Sequence, residues 1–187
     1  IRQSKQITQT FSPIINPILA PYNNYTLQQD ITESNIFSLN RASSITEWEG
    51  GPRINYGIEW YLNNDNGSDA KLLVGQTYRV NKNKTDTSEE ISDYFISSNV
   101  TLNKKNYINN SFIIDRKDID VKSINMNTYF KFDQLKFALD YDYTSGKYAA
   151  PKEQIAVGGE YQFIDNFFLK FTGSKNLDTN KNIGYQY

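Results

Sequence analysis

Any chemistry in this chain must come from carboxylates, cations, hydroxyls and amides, because its 187 residues include no His and no Cys. Without histidine the commonest general base and metal ligand is missing, and without cysteine no disulfide can form within these residues. Asp and Glu are plentiful, 21 in all, yet they form neither a metal-loop spacing nor a compact acid–base pair on a recognisable motif. Gly75, Gly158, Gly159 and Gly173 are scattered through strand-like stretches rather than gathered into a phosphate-cradling loop. Strand bending and close packing are their expected roles. The sequence therefore predicts no catalytic residue, no cofactor and no metal ion.

What remains is a set of charges with a regular spacing. Arg53, Glu59, Lys71, Arg79, Lys131, Lys136, Asp140, Asp142, Glu160 and Lys170 all stand at alternate positions of stretches whose other positions are apolar. From 52 to 62, Pro52, Ile54, Tyr56, Ile58, Trp60 and Leu62 alternate with Arg53, Asn55, Gly57, Glu59 and Tyr61. In a strand this puts the large apolar groups on one face and the charges on the other. One such strand is also what a half-buried sheet of a soluble two-layer protein makes.

The pattern repeats along the chain. Leu72, Val74 and Tyr78 oppose Lys71, Thr77 and Arg79; Tyr94, Ile96 and Val100 oppose Ser97, Asn99 and Thr101. Further on, Ile124, Met126 and Phe130 oppose Asn125, Asn127 and Lys131, and Phe137, Leu139 and Tyr141 oppose Lys136, Asp140 and Asp142. Ile155, Val157 and Tyr161 then face away from Gln154 and Glu160, and Phe167, Leu169 and Phe171 from Lys170, Thr172 and Ser174. Roughly ten strands of about ten residues, greasy on one side and wet on the other, match a transmembrane β-barrel, where neighbours satisfy each other's backbone and one face meets lipid. The connections alternate in length. Those at 63–69, 103–106, 133–134 and 164–166 are short, whereas 21–50, 81–92 and 144–151 are longer and polar, as periplasmic turns and external loops are; the short 115–120 and 177–181 connections depart from that asymmetry.

Composition points the same way. The absence of a long apolar run excludes a helical span but not a barrel, whose apolar residues are diluted by alternation. Many of the 14 Tyr and 11 Phe stand near strand ends, among them Tyr56, Tyr78, Tyr94, Tyr107, Tyr129, Tyr143, Tyr148 and Tyr161, as in interfacial girdles. A net charge of -1 offers no broad basic field, so no nucleic-acid partner is expected. The sequence starts at Ile1 and stops while Ile183, Tyr185 and Tyr187 still alternate. The expectation is one partial barrel domain over 1–187 with no second domain. It should be an antiparallel up-and-down segment of a larger barrel, open at both edges and without function alone.

One stretch is more specific. Asn35-Ile36-Phe37-Ser38-Leu39-Asn40-Arg41 leads through Trp48-Glu49-Gly50-Gly51 to Arg53-Ile54-Asn55-Tyr56-Gly57 at the head of a strand. This order resembles the barrel domain of the LptD or organic-solvent-tolerance family, the outer-membrane lipopolysaccharide-assembly proteins. Looser likenesses extend it: Ser12-Pro13-Ile14-Ile15 with Leu19-Ala20-Pro21, and Val74-Gly75-Gln76-Thr77-Tyr78-Arg79.

The resemblance implies a non-catalytic translocon of the Gram-negative outer membrane that receives lipopolysaccharide from the periplasm and places it in the outer leaflet. It further implies outer-membrane lipid around the barrel, a plug lipoprotein of the LptE type, and a periplasmic bridge protein reached through an N-terminal jellyroll outside these residues. The ten alternating charges become candidate lumen-lining groups. Asn40, Arg41, Trp48 and Glu49 become candidate loop contacts, with Arg41 expected to brace the loop against the wall through its guanidinium fork and Trp48 to anchor the loop. A porin or receptor barrel would share the alternation without the loop signature; a soluble carbohydrate-binding sandwich would bury the apolar face under a second sheet.

Overall fold

The computed structural model describes residues 7–22, 31–42, 46–65, 67–80, 90–147, 149–164 and 167–186. Most of the 81–92 loop, Tyr148, Tyr187, the first residues of the chain and parts of the 21–50 loop lie outside them. The described residues form one ten-stranded sheet in strictly sequential order. Its strands are β1 (Ile7–Ile18), β2 (Arg53–Asn64), β3 (Ser68–Arg79), β4 (Tyr94–Leu102) and β5 (Asn106–Ile114). There follow β6 (Val121–Phe132), β7 (Leu135–Thr144), β8 (Lys152–Ile164), β9 (Phe167–Asn176) and β10 (Lys181–Gln186). Every pair of neighbours is antiparallel. Among the described residues no helix occurs and β1 does not pair with β10, so the sheet is an unclosed up-and-down barrel segment.

Turn chemistry sets the hairpins at one rim. Asn103 and Lys104 take left-handed φ values of 52° and 60° in a three-residue loop whose Lys105 amide donates to Leu102 O at 3.2 Å, and Gly67 is left-handed at 74°. At the other rim β1 and β2 are joined by residues 19–52, the longest connection. β2 begins at Arg53 rather than Pro52, because Gly51, at φ 84°, turns the chain into the strand.

Register keeps the two faces separate through the body of the sheet, with shifts only near strand ends, between Ile113 and Ile114, Gln162 and Ile164, and Asn182 and Gly184. Ile58 stands beside Val74, Trp60 beside Leu72, and Leu139 beside Val157, while Arg53 stands beside Arg79 and Glu160 beside Lys170. Since side-chain direction alternates strictly along a strand, a single mispaired residue would have mixed the faces. Among the described residues no second layer covers the apolar face: Phe11 is 65%, Ile15 75%, Phe167 62% and Leu169 63% exposed. A soluble sandwich would have buried these groups, which a barrel presents to lipid. The small buried core lies on the opposite, polar face, made by Ile36, Leu73 and Phe95 with Ile14, Ile31, Phe37 and Ile113 packed around them.

Candidate functional site

That core exists because part of the long β1–β2 connection folds back onto the polar wall. Two overlapping turns, with Thr32 O accepting from the amides of Asn35 and Ile36 and Asn35 O from that of Ser38, direct Ile36 and Phe37 at the strands. The wall makes room for them. Gly57 and Gly75 are partners in register. A Cβ on Gly75 would come within 2.6 Å of the Ile36 Cδ1, and one on Gly57 within 2.3 Å of the Val74 carbonyl and 2.9 Å of the Phe37 ring. Asn16 on β1 donates its amide to Phe37 O at 2.8 Å, fastening the turn from the other side.

The two arms of the loop are tied together by Asn40. Its Oδ1 accepts from the amides of Ala42 and Glu49, at 3.1 and 3.0 Å, and its Nδ2 donates to Glu47 O at 2.8 Å. Arg41 and Glu49 are thereby set side by side, nearly sealed from solvent. Arg41 grips the Glu49 carboxylate through two nitrogens, one bond measuring 2.7 Å, and donates a third bond to Thr77 Oγ1 at 3.1 Å. Thr77 in turn donates to Asn55 Oδ1 at 3.0 Å. Register supplies the other two cations: Arg53, first in β2, and Arg79, last in β3, face each other and approach Glu49 at 3.3 and 2.9 Å. Arg53 also donates to Glu49 O at 2.9 Å and to Leu39 O, so one guanidinium binds both arms. Burial alone would push the Glu49 carboxyl up, but Arg41, and after it Arg53 and Arg79, hold it below the usual carboxylate range.

A second tether lies deeper along the wall. Glu33 pairs with Lys71 at 2.9 Å and accepts from the Asn99 amide at 2.7 Å, while Lys71 also pairs with Glu59 at 3.0 Å. Burial raises the Glu33 pKa, yet the Asn99 and Lys71 contacts bring it below its ordinary value. Beside this tether opens a cleft of about 1000 Å³ on the polar face of β4 to β7, bordered by residues 31–33. Its wall is built of short polar groups in register, Ser97 beside Ser111 beside Asn125 beside Asp142, with Asn99 beside Asn109. That second row continues past the cleft to Asn127 and Asp140. Asp142 accepts from Asn125 at 2.5 Å and pairs with Lys152 at 3.3 Å; Asp140 accepts from Asn127.

Thus Arg41, Glu49, Arg53 and Arg79 come together in one cluster, with Asn40 as its tie. Glu59 and Lys71 form a second group, and Lys136, Glu160 and Lys170 a third near the short-turn rim, Glu160 lying 2.5 Å from Lys136 and 3.2 Å from Lys170. Lys131 adjoins that third group in register. Asp142 stands on the cleft wall, and Asp140 in the adjoining row outside it. Trp48 belongs to none of these: half exposed, it donates its indole N–H to Pro21 O at 3.3 Å, holding the mouth of the loop. Sequence reasoning missed Glu33, Asn16, Asn55 and Thr77, and it missed the covered apolar group on the wet face. The available signal was Ile14, Leu73, Phe95 and Ile113, apolar residues in polar register that need a partner arriving from elsewhere in the chain.

Comparison with known families gives a match over residues 2–171 to LptD, described as LPS transport system D. No curated protein matches the sequence.

Proposed function

The chain belongs to the LptD family of lipopolysaccharide transport, and from that premise we propose that its sheet is a section of the wall through which lipopolysaccharide passes from the periplasm to the outer leaflet of a Gram-negative outer membrane. The family's work is transport and assembly, which needs no bond-breaking step. The observation that carries the reading is the separation of faces, with a docked loop on the wet side. An amphiphile with anionic sugars and acyl chains must be offered hydrated groups for the one and a lipid-like surface for the other. The polar rungs of β4 to β7 and the charges of β7 to β9 serve the sugars, and the uncovered face of Phe11, Ile15, Ile58 and Leu169 meets the lipid. The loop held by Arg41 and Glu49 narrows the passage beside the cleft.

In this reading a plug lipoprotein of the LptE type occupies part of the enclosed space, and the periplasmic bridge protein docks through an N-terminal domain outside these residues. The test uses full-length protein in cells, with a photo-cross-linking amino acid placed at Asn127 or Ser111 on the polar face and, for comparison, at Leu139 or Ile58 on the other. Lipopolysaccharide adducts should form from the first pair and phospholipid adducts from the second. Equal lipopolysaccharide labelling from both faces would refute the assignment of the wet face as the sugar route.

A further inference from the structure

At the short-turn end of the polar face the wall carries an arrangement that the loop cluster does not explain. Lys131 and Lys136 are direct partners across β6 and β7, both on the wet face. Like charges placed directly opposite each other destabilise a sheet. Lys136 is compensated by Glu160, which it shares with Lys170; among the described residues no carboxylate pairs with Lys131. The row Lys131, Lys136, Glu160, Lys170 is continuous in register across four strands and holds three cations against one anion.

The next row inward is of a different kind. Tyr107 and Tyr129 are register partners whose rings stack at 5.6 Å, and beyond them come Ala138, Gly158 and Thr172. A Cβ on Gly158 would find only ordinary contacts, the nearest atom lying 3.7 Å away. The small residues therefore leave a shallow floor, bounded by tyrosine rings on one side and lysines along one edge. Phe168 adds a ring on the same face, 55% exposed, with Lys170 Nζ 4.7 Å from its centroid.

We propose that this floor is a seat for a phosphorylated sugar, its phosphate between Lys131 and Lys136 and its ring over Ala138 and Gly158 against the tyrosine stack. Lysines act as point charges toward phosphate, and two at opposing positions of neighbouring strands lose their mutual repulsion when an anion sits between them. The seat deepens the transport reading and rests on it, since lipopolysaccharide would bring the phosphorylated sugar; free sugar phosphates share the chemistry.

The test measures binding to the full-length protein in detergent with three probes: a phosphorylated lipopolysaccharide, the same glycolipid stripped of phosphate, and glucosamine 6-phosphate. Native protein should hold the phosphorylated glycolipid on the order of tenfold more tightly than the stripped one, the factor expected from charge-assisted bonds. Lys131→Gln should abolish that preference and Lys131→Arg should keep it. Gly158→Val, which the backbone accommodates, should weaken both glycolipids by obstructing the floor while heat-modifiable migration stays native. An unchanged phosphate preference in Lys131→Gln overturns the seat and leaves the transport reading standing. Binding of glucosamine 6-phosphate with no binding of either glycolipid keeps the seat and overturns the transport reading. Loss of a co-purifying lipoprotein from Lys131→Gln, with glycolipid binding intact, overturns the seat in favour of a protein contact.

Discussion

Replacing Glu49 with Gln isolates the electrostatic part of loop docking, because the amide keeps the shape of the carboxylate and opens no cavity. Glu49 is 5% exposed and pairs with Arg41, Arg53 and Arg79. Removing one partner of a buried ion pair costs about 3–5 kcal/mol, most of it from the charge left unpaired. The lower figure applies here, because Arg79 is partly exposed and can turn to water, and because the loop can lift and let water reach the other two. A loss of about 3 kcal/mol raises the undocked population roughly 100-fold. Hydrogen exchange on the full-length protein in detergent reads this at the amides of Ile36 and Ser38, whose bonds to Thr32 O and Asn35 O, of 3.0 and 2.9 Å, form the docked turns. Those amides should exchange about 100-fold faster in Glu49→Gln, while amides in the middle of β6 and β7 keep their native rates. Native exchange at residues 36 and 38 in a folded Glu49→Gln protein would show that the apolar contacts of Ile36 and Phe37 hold the loop alone.

The same carboxylate makes docking dependent on pH. With its folded pKa lowered, Glu49 contributes fully above the ordinary carboxylate value of about 4.3, and the contribution is lost as pH falls through the folded value; the protection of the Ile36 amide, taken relative to its intrinsic exchange rate at each pH, should fall on acidification in the native protein and change much less in Glu49→Gln. Gly57→Ala should be more damaging than Gly75→Ala, since its Cβ would strike the Val74 carbonyl whereas that of Gly75 meets the movable tip of Ile36. Overpacking costs about 1–3 kcal/mol, and equal yields of folded protein for the two variants would contradict the ordering. Ile58→Arg or Leu139→Arg places a charge on the lipid face at a cost of roughly 2–4 kcal/mol; unaltered heat-modifiable folding of both would argue against a membrane-facing position.

The sheet was legible because its information is local. Side chains alternate with period two, so each strand announces its own wet and dry faces, and the turn residues at 103–106 and 133–134 leave only antiparallel neighbours. The strand carrying Ile54, Ile58 and Trp60 could be read residue by residue without knowing what lay beside it. The Arg41 to Glu49 contact was half visible, as a fork expected to brace the loop, because both residues belong to one short stretch.

What the sequence could not convey was the meeting of groups from the loop with groups far along the chain. Arg53 and Arg79 meet over Glu49 only through the β2–β3 register and the path of the loop, and Glu33 meets Lys71 and Asn99 in the same way. Leu73 and Phe95 look like flaws in the alternation when each strand is taken alone. They become intelligible once residues 31–41 fold onto the wet face, bringing Ile36 and Phe37 to the space that Gly57 and Gly75 leave open. Periodicity dictates which way a side chain points. Which groups it meets depends on register and on the path of a loop, and both are settled by packing free energy gathered across the whole sheet.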